Sequence, residues 1–358
     1  MLEGALSAIK INLDETIPFL SGLLNTPSPT GYAVEAIEYV EAAFKKLKMT
    51  GLKLSRTKKG ALLIQVKGAA SSAPRGITAH VDTLGLMVKE IKGSGRLKAT
   101  QLGGYAWNAV EYEGVTIRTA DNKRIRGTML LSNPSTHVNS KLNTTQREAD
   151  NMEIRLDAIT RNAADTRELG IEVGNFIFLD PRVEVTDTGF IRSRHLDDKA
   201  GVAAIYGALV ALKASKLQPV QDTTILIANY EEVGHGGSAD WPGELDELLT
   251  IDMGTMGDGQ NSDEFSVSIC AKDSSGPYHY AFTARMRQLA AAHNIPHKVD
   301  IYPYYGSDGS AYWRAGGAAK VALIGPGIDA SHGYERTHTS SIEHTAHLIA
   351  RYLVDVGT

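Results

Sequence analysis

The sequence predicts an α/β fold: a doubly wound sheet with helices on both faces, into which a β-rich, barrel-like domain is inserted. Three observations lead there. At both ends of the chain, apolar runs of strand length alternate with amphipathic helical stretches. From about residue 87 to about 185 short β-like runs replace that alternation, separated by the turn signals Gly93-Ser94-Gly95, Gly103-Gly104 and Ala120-Asp121-Asn122. After residue 185 the α/β alternation returns. Residues 1–86 and 186–358 therefore read as one domain and 87–185 as the insertion.

Taken in order, residues 13–48 predict two helices. Ile17, Leu20, Leu23 and Leu24 recur at helical spacing, as do Val34, Ile37, Val40, Phe44 and Leu47, with the break Thr26-Pro27-Ser28-Pro29-Thr30-Gly31 between them. Strands follow at 61–66 and 76–82. Within the insertion, the polar stretch 140–168 predicts helix. Beyond it come a helix over 198–214, strands over 223–230 and 248–253, a helix over 277–293, and strands near 297–303 and 319–324. A last helix is expected after Ser340, with Glu343 at capping-box spacing.

Composition excludes several classes. With 358 residues, 42% hydrophobic and 22% charged, the chain matches an ordinary folded protein of one large domain or two. A net charge of −4 argues against nucleic acid as a partner. The single cysteine, Cys270, rules out an internal disulfide and any multi-thiolate zinc site, and leads us to expect a reducing, cytoplasmic home. Met1-Leu2-Glu3-Gly4-Ala5-Leu6 lacks the basic start and apolar core of a signal peptide, and no apolar run approaches the ~18 residues that span a membrane. Any metal must be held by His, Asp and Glu.

In open α/β sheets, sites form outside the carboxyl ends of the strands. Polar clusters stand at such positions: His80-Val81-Asp82, Asp197-Asp198, Glu231-Glu232, Asp252, and His338 before the last helix. Each alone has a plain reading as a cap, a turn or a solvated pair. Together they would bury many carboxylates at one sheet edge, which is costly without a cation. Two histidines and several acids suit zinc, cobalt or manganese.

These residues resemble the co-catalytic dinuclear zinc aminopeptidases, in particular the tetrahedral and glutamyl aminopeptidase group. The matching segments are Ala79-His80-Val81-Asp82-Thr83-Leu84-Gly85, Leu196-Asp197-Asp198-Lys199-Ala200-Gly201, Glu231-Glu232-Val233-Gly234, Ile251-Asp252-Met253-Gly254, Gly306-Ser307-Asp308 and Arg336-Thr337-His338-Thr339-Ser340. They run in the family's order over nearly the whole chain. The resemblance implies a metal-dependent aminopeptidase with two divalent ions per chain: Asp197 bridging, His80 and Asp252 on one ion, Glu232 and His338 on the other. It implies a metal-bound hydroxide as nucleophile and Glu231 as the proton carrier. Asp82 would accept the second imidazole N–H of His80. A cis peptide between Asp197 and Asp198 is implied too. The insertion would mediate dimers, and such dimers would build a dodecamer that admits small peptides.

The chain also departs from the pattern. His235-Gly236-Gly237 replaces a leucine- and arginine-bearing segment, and Ser340-Ser341 stands where a proline is usual. His195, His235 and His332 crowd the motifs. His332 competes with His338 as a ligand; the alignment of Arg336-Thr337-His338 selects His338. Ser331-His332-Gly333-Tyr334-Glu335-Arg336 resembles a bacterial subgroup linked to the osmoprotectant N-acetylglutaminylglutamine amide. Asp308 reads as a turn residue or a site residue, and Asp308 or Glu335 would hold a free α-amino group. The rival activity is a deacylase or amidase acting on an N-acyl dipeptide at the same centre.

Overall fold

The computed structural model describes residues 9–357; the Met1–Leu6 segment and the first residues of the 1–86 span lie outside the described residues. The chain opens with helices α1 (Leu13–Leu24) and α2 (Val34–Lys46), then strands β1 (Leu52–Arg56), β2 (Leu62–Val66) and β3 (Ala70–His80). Next come β4 (Gly85–Ile91), β5 (Leu97–Leu102), β6 (Gly114–Arg118), β7 (Arg124–Leu131), β8 (Met152–Leu156), α3 (Ala163–Glu168) and β9 (Phe176–Leu179). Strands β10 (Glu184–Val185) and β11 (Phe190–Ser193) lead to α4 (Leu196–Ala214), β12 (Gln221–Ala228), β13 (Glu247–Ile251), β14 (Gly254–Thr255), β15 (Val267–Asp273), β16 (Gly276–Pro277) and α5 (Tyr280–Ala292). The chain finishes with β17 (His297–Ile301), α6 (Asp308–Arg314), β18 (Lys320–Ile328), β19 (Glu335–His338) and α7 (Thr339–Val354).

The central sheet is mixed, and its middle strands β12-β3-β13-β18 are parallel. Parallel strands are buried on both faces and need cover on each. Leu249, Ile251, Ala322 and Ile324 face a core that includes residues of α1, α2, α4, α5 and α7. The alternate positions Leu248, Val321 and Leu323 face the other way, against Tyr312 of α6 and Trp241. Helices thus cover both faces, unequally. Helix α4 lies against α1, α7 and β3 and is buried over nearly its whole length, as an all-round apolar helix must be.

The insertion closes into a six-stranded barrel, β4-β5-β8-β7-β6-β9. Its interior takes alternate residues: Leu86 and Val88, Leu97 and Ala99, Val115 and Ile117, Met129 and Leu131, Met152 with Ile154 and Leu156, Ile177 and Leu179. The helix expected over 140–168 is not there. The polar part is a series of turns, Met152-Glu153-Ile154-Arg155-Leu156 is strand β8, and only Ala163–Glu168 is helical. Alternation with period two outweighed local polarity. Helix α7 likewise starts one residue before Ser340, capped by the His338 ring on the Ser340 N–H rather than by a Ser340–Glu343 box.

Candidate active site

All four middle strands deliver a polar residue at the same edge. β3 ends on His80 and β13 is followed directly by Asp252. Thr250 pairs with Thr78, so Asp252 and His80 sit two residues further along neighbouring strands. β12 is followed by Glu231–Val233, and β18 by the reversal that carries His332. The start of α4 supplies Asp197 and Asp198, where the backbone is non-helical and the peptide between them is cis. Strand β18 can pass against Asp252 because residue 325 is glycine: a Cβ there would lie 1.7 Å from the Asp252 carbonyl oxygen.

Two groups of side chains result, each tight enough to hold a cation. One is His80, Asp198 and Asp252; the other is Asp197, Glu232 and His332. Asp197 links them. Its Oδ1 is 3.2 Å from His80 Nε2 and its Oδ2 is 3.4 Å from His332 Nε2. His332 Nε2 is also 3.7 Å from Glu232 Oε2. The His332 ring is turned by a hydrogen bond of 2.5 Å between Nδ1 and the Gly104 carbonyl, in the loop after β5. Asp197, Glu232, Asp252 and His332 of these groups line a cleft of about 630 Å³, together with Tyr302–Ser307, Thr255 and Gln260.

His338 does not join them. Its Nε2 faces the Thr188 carbonyl at 3.0 Å, its Nδ1 accepts from the Ser340 N–H, and its ring packs against Phe190 and Phe265. Gly189 admits the ring, since a Cβ there would sit 2.5 Å from Nε2. The histidine in the cleft is His332, on a tight reversal where Ala330 and His332 both have positive φ. Sequence reading placed His338 in the site because the residues around it fit a linear motif; the ring instead caps α7. Of the other histidines, His195 is buried with φ 72°, and His235 stacks on Tyr230.

The two adjacent glutamates separate, though not by strand alternation. β12 ends at Ala228, and Glu231–Val233 form a 3-10 turn. Glu231 Oε2 lies 3.8 Å from His80 Nε2, whereas Glu232 points to His332. Asp82 fixes the turn. Its Oδ1 accepts the Glu231 N–H at 3.1 Å; its Oδ2 accepts the Glu232 N–H at 3.3 Å and the Thr30 hydroxyl at 2.7 Å. The expected carboxylate contact to His80 is secondary: Nδ1 is 2.9 Å from the Asp82 backbone oxygen and 3.6 Å from its Oδ1. With both oxygens engaged by the turn, the main-chain carbonyl orients the ring instead.

Asp308 explains His235-Gly236-Gly237. It is buried; its Oδ1 accepts the Gly237 N–H at 2.5 Å and its Oδ2 accepts from Thr78 at 3.3 Å. A Cβ on Gly236 or Gly237 would lie 2.5 or 2.8 Å from Asp308 atoms. The glycines let the chain run against this carboxylate. Glu335 is likewise engaged, by backbone N–H groups of Asp197 and His332. Neither acid is open to hold a free amine in the way the sequence suggested.

The electrostatics describe a site short of positive charge. Burial, then the charge of Asp197, pushes the Asp252 carboxyl up to about 8. Burial and the neighbouring acids raise Asp198, Glu231 and Glu232 well above the carboxylate range. Burial would also raise Asp197, but the His332 and His80 rings outweigh it and hold Asp197 low. Burial would lower His332; Asp197 and Glu232 overcome that and lift it to about 10. Asp197 Oδ1 and Asp198 Oδ1 are buried without a hydrogen bond, a condition that bound cations relieve. The donor set, all oxygen and imidazole nitrogen, fits divalent metal ions.

The chain matches the M42 glutamyl aminopeptidase family over residues 60–348 and belongs to that family. It is 48% identical to the protein named "Putative aminopeptidase YhfE" of Bacillus subtilis (strain 168), over 95% of this chain and 97% of that one. It is 30% identical to the glutamyl aminopeptidase of Lactococcus lactis subsp. cremoris (strain MG1363), over 50% of each chain. Among solved structures, a TET aminopeptidase from the marine sediment archaeon Thaumarchaeota archaeon SCGC AB-539-E09 shares the fold, with a TM-score of 0.85 and 18% identity over 96% of this chain and 98% of that one. The TET1 peptidase of Pyrococcus horikoshii does too, with a TM-score of 0.80 and 19% identity over 96% and 100%.

Proposed function

We propose that this aminopeptidase removes N-terminal residues from small peptides with two divalent ions, zinc in the first instance. His80 and Asp252 would hold one ion, Glu232 and His332 the other, and Asp197 both. The observation that carries the reading is the division of the cluster into two cation-sized groups joined by Asp197, with Glu231 left over in the same cleft. Bound there, the ions would polarise the scissile carbonyl and acidify a water molecule.

The chain's own residues do the rest. Glu231 is an acid of the cleft that belongs to neither cation-sized group and lies beside His80. Its Oε2, 3.8 Å from His80 Nε2, is placed to take a proton from attacking water and to return it to the departing amine. Asp82 keeps Glu231 and Glu232 on their separate headings through the two backbone N–H groups. Tyr305 closes the wall beside Asp252, with its hydroxyl on the Met253 carbonyl at 2.8 Å. The cleft wall Tyr302–Ser307 would receive the side chain of the residue to be removed.

We also propose that the 87–185 insertion is a dimerisation domain and that the dimers assemble further. The TET1 peptidase of Pyrococcus horikoshii can assemble into a tetrahedron or a large octahedral shell. Among the described residues no helix is long and apolar enough to cross a membrane.

The test is one panel on one sample: free tri- and tetrapeptides, their N-acetylated forms, and N-acetylglutaminylglutamine amide, with metal content measured on the same protein. Free-amine peptides should be cleaved and acetylated ones left intact. Cleavage confined to the acetylated substrates would replace the aminopeptidase with the deacylase.

A further inference from the structure

Glu335 is buried in the wall behind the cleft and touches neither the cleft nor solvent; it is 2% exposed. It stands at the start of β19, which pairs with β11 in a small sheet, so its backbone is fixed by the Ser193 pairing. Its side chain turns back into the reversal that precedes it. Each carboxylate oxygen accepts one backbone N–H: Oε1 from His332 at 3.1 Å, and Oε2 from Asp197 at 3.1 Å. These two residues come from opposite sides of the site, one from the loop after β18 and one from the start of α4.

The reversal needs such a support. Asp329 and Arg336 close it with paired backbone hydrogen bonds, and between them Ala330 and His332 both adopt left-handed φ without being glycine. That conformation is unfavourable and persists only when the surroundings hold it. The Glu335 carboxylate holds it at the His332 amide. The same group holds Asp197 where the backbone of α4 departs from helical geometry.

We propose that Glu335 is a positioning residue that sets the second metal site, joining His332 to Asp197 through one carboxylate. The inference rests on the proposed dinuclear centre and adds an asymmetry to it. His80 and Asp252 receive no hydrogen bond from Glu335, so the first site feels its loss only through the shared Asp197, whereas the second loses the support of His332 as well. Only a carboxylate serves. Glutamine would set an NH₂ against one of the two N–H donors, and aspartate, one methylene shorter, cannot reach both.

The experiment equilibrates wild type, E335Q, E335D and E231Q in zinc buffers of graded free concentration and counts ions per chain by mass spectrometry, with peptide kinetics on the same samples. Wild type should hold two ions. E335Q should bind the second ion about 10–100-fold more weakly and the first with a distinctly smaller loss, felt through Asp197 alone. Its kcat should fall with the second ion's occupancy and recover at high zinc, while KM for the peptide changes less than twofold. E231Q should hold both ions and recover nothing. If E335Q does not fold, E335D carries the same expectation. A folded E335Q or E335D that holds both ions at wild-type affinity overturns the proposal, as does an equal weakening of both ions. A wild-type chain that binds no divalent ion removes the centre itself, and the two failures are read from different samples.

Discussion

Replacing His332 and His338 separately gives effects of different kinds. H338A removes the ring acceptor of the Ser340 N–H at the start of α7, worth about 1 kcal/mol as a helix cap. It also removes edge contacts with Phe190 and Phe265, whose centroids lie 5.0 and 5.1 Å away, worth about 0.5–1.5 kcal/mol each. The ring is only half-buried, so the total is roughly 2 kcal/mol, a fall of several degrees in Tm for a domain of this size. Metal content should not change. H332A removes little packing, but it removes the imidazole that lies within 3.4 Å of Asp197 and 3.7 Å of Glu232. One ion should be lost or weakened by orders of magnitude, and activity with it. The metal-free Tm should fall as well, because the His332 ring faces the Asp197 and Glu232 carboxylates in the empty site, so the ion count separates the two variants and Tm alone does not. Differential scanning fluorimetry with and without chelator, paired with ion counts, reads both effects. The reasoning fails if H338A loses an ion while H332A keeps two.

Other expectations are brief. E231Q preserves the backbone N–H to Asp82 and removes only the proton acceptor, so kcat should drop about 10²–10⁴-fold with metal content intact. G237A forces a methyl to within 2.8 Å of the Asp308 backbone oxygen; we expect lower Tm together with reduced kcat, because that loop continues directly from the Glu231–Val233 turn. Burial pushes the Cys270 thiol up to about 12. A thiol reagent at pH 8 should therefore leave the native protein unmodified and label one group per chain after denaturation; rapid labelling of the native protein would contradict the core described here.

What the sequence allowed to be read, and what it hid, follows from the range of the interactions. His80, Glu231, Glu232 and Asp252 each follow an apolar run at the end of a parallel strand, and the edge of such a sheet is where a site must lie. Asp197 and Asp198 could be read for the same reason, at a helix start facing that edge. The second histidine of the site was legible only as a competitor of His338. His332 enters the cleft through a left-handed reversal whose support, Glu335, is three residues away in sequence but works through the Asp197 amide on another element. The roles of Asp82 and Asp308 were hidden similarly, since each carboxylate acts on backbone N–H groups of a distant loop. The glycines at 236 and 237 marked such an approach, but only the position of Asp308 explains them. In the barrel, Met152-Glu153-Ile154-Arg155-Leu156 had the alternation of a strand throughout, and polar neighbours obscured it.

The most direct test of the central claim is anomalous diffraction from crystals of the zinc-loaded protein. The account predicts two peaks per chain, one against His80 and Asp252 and one against Glu232 and His332, with Asp197 reaching both. A single peak, or a peak against His338, would contradict it.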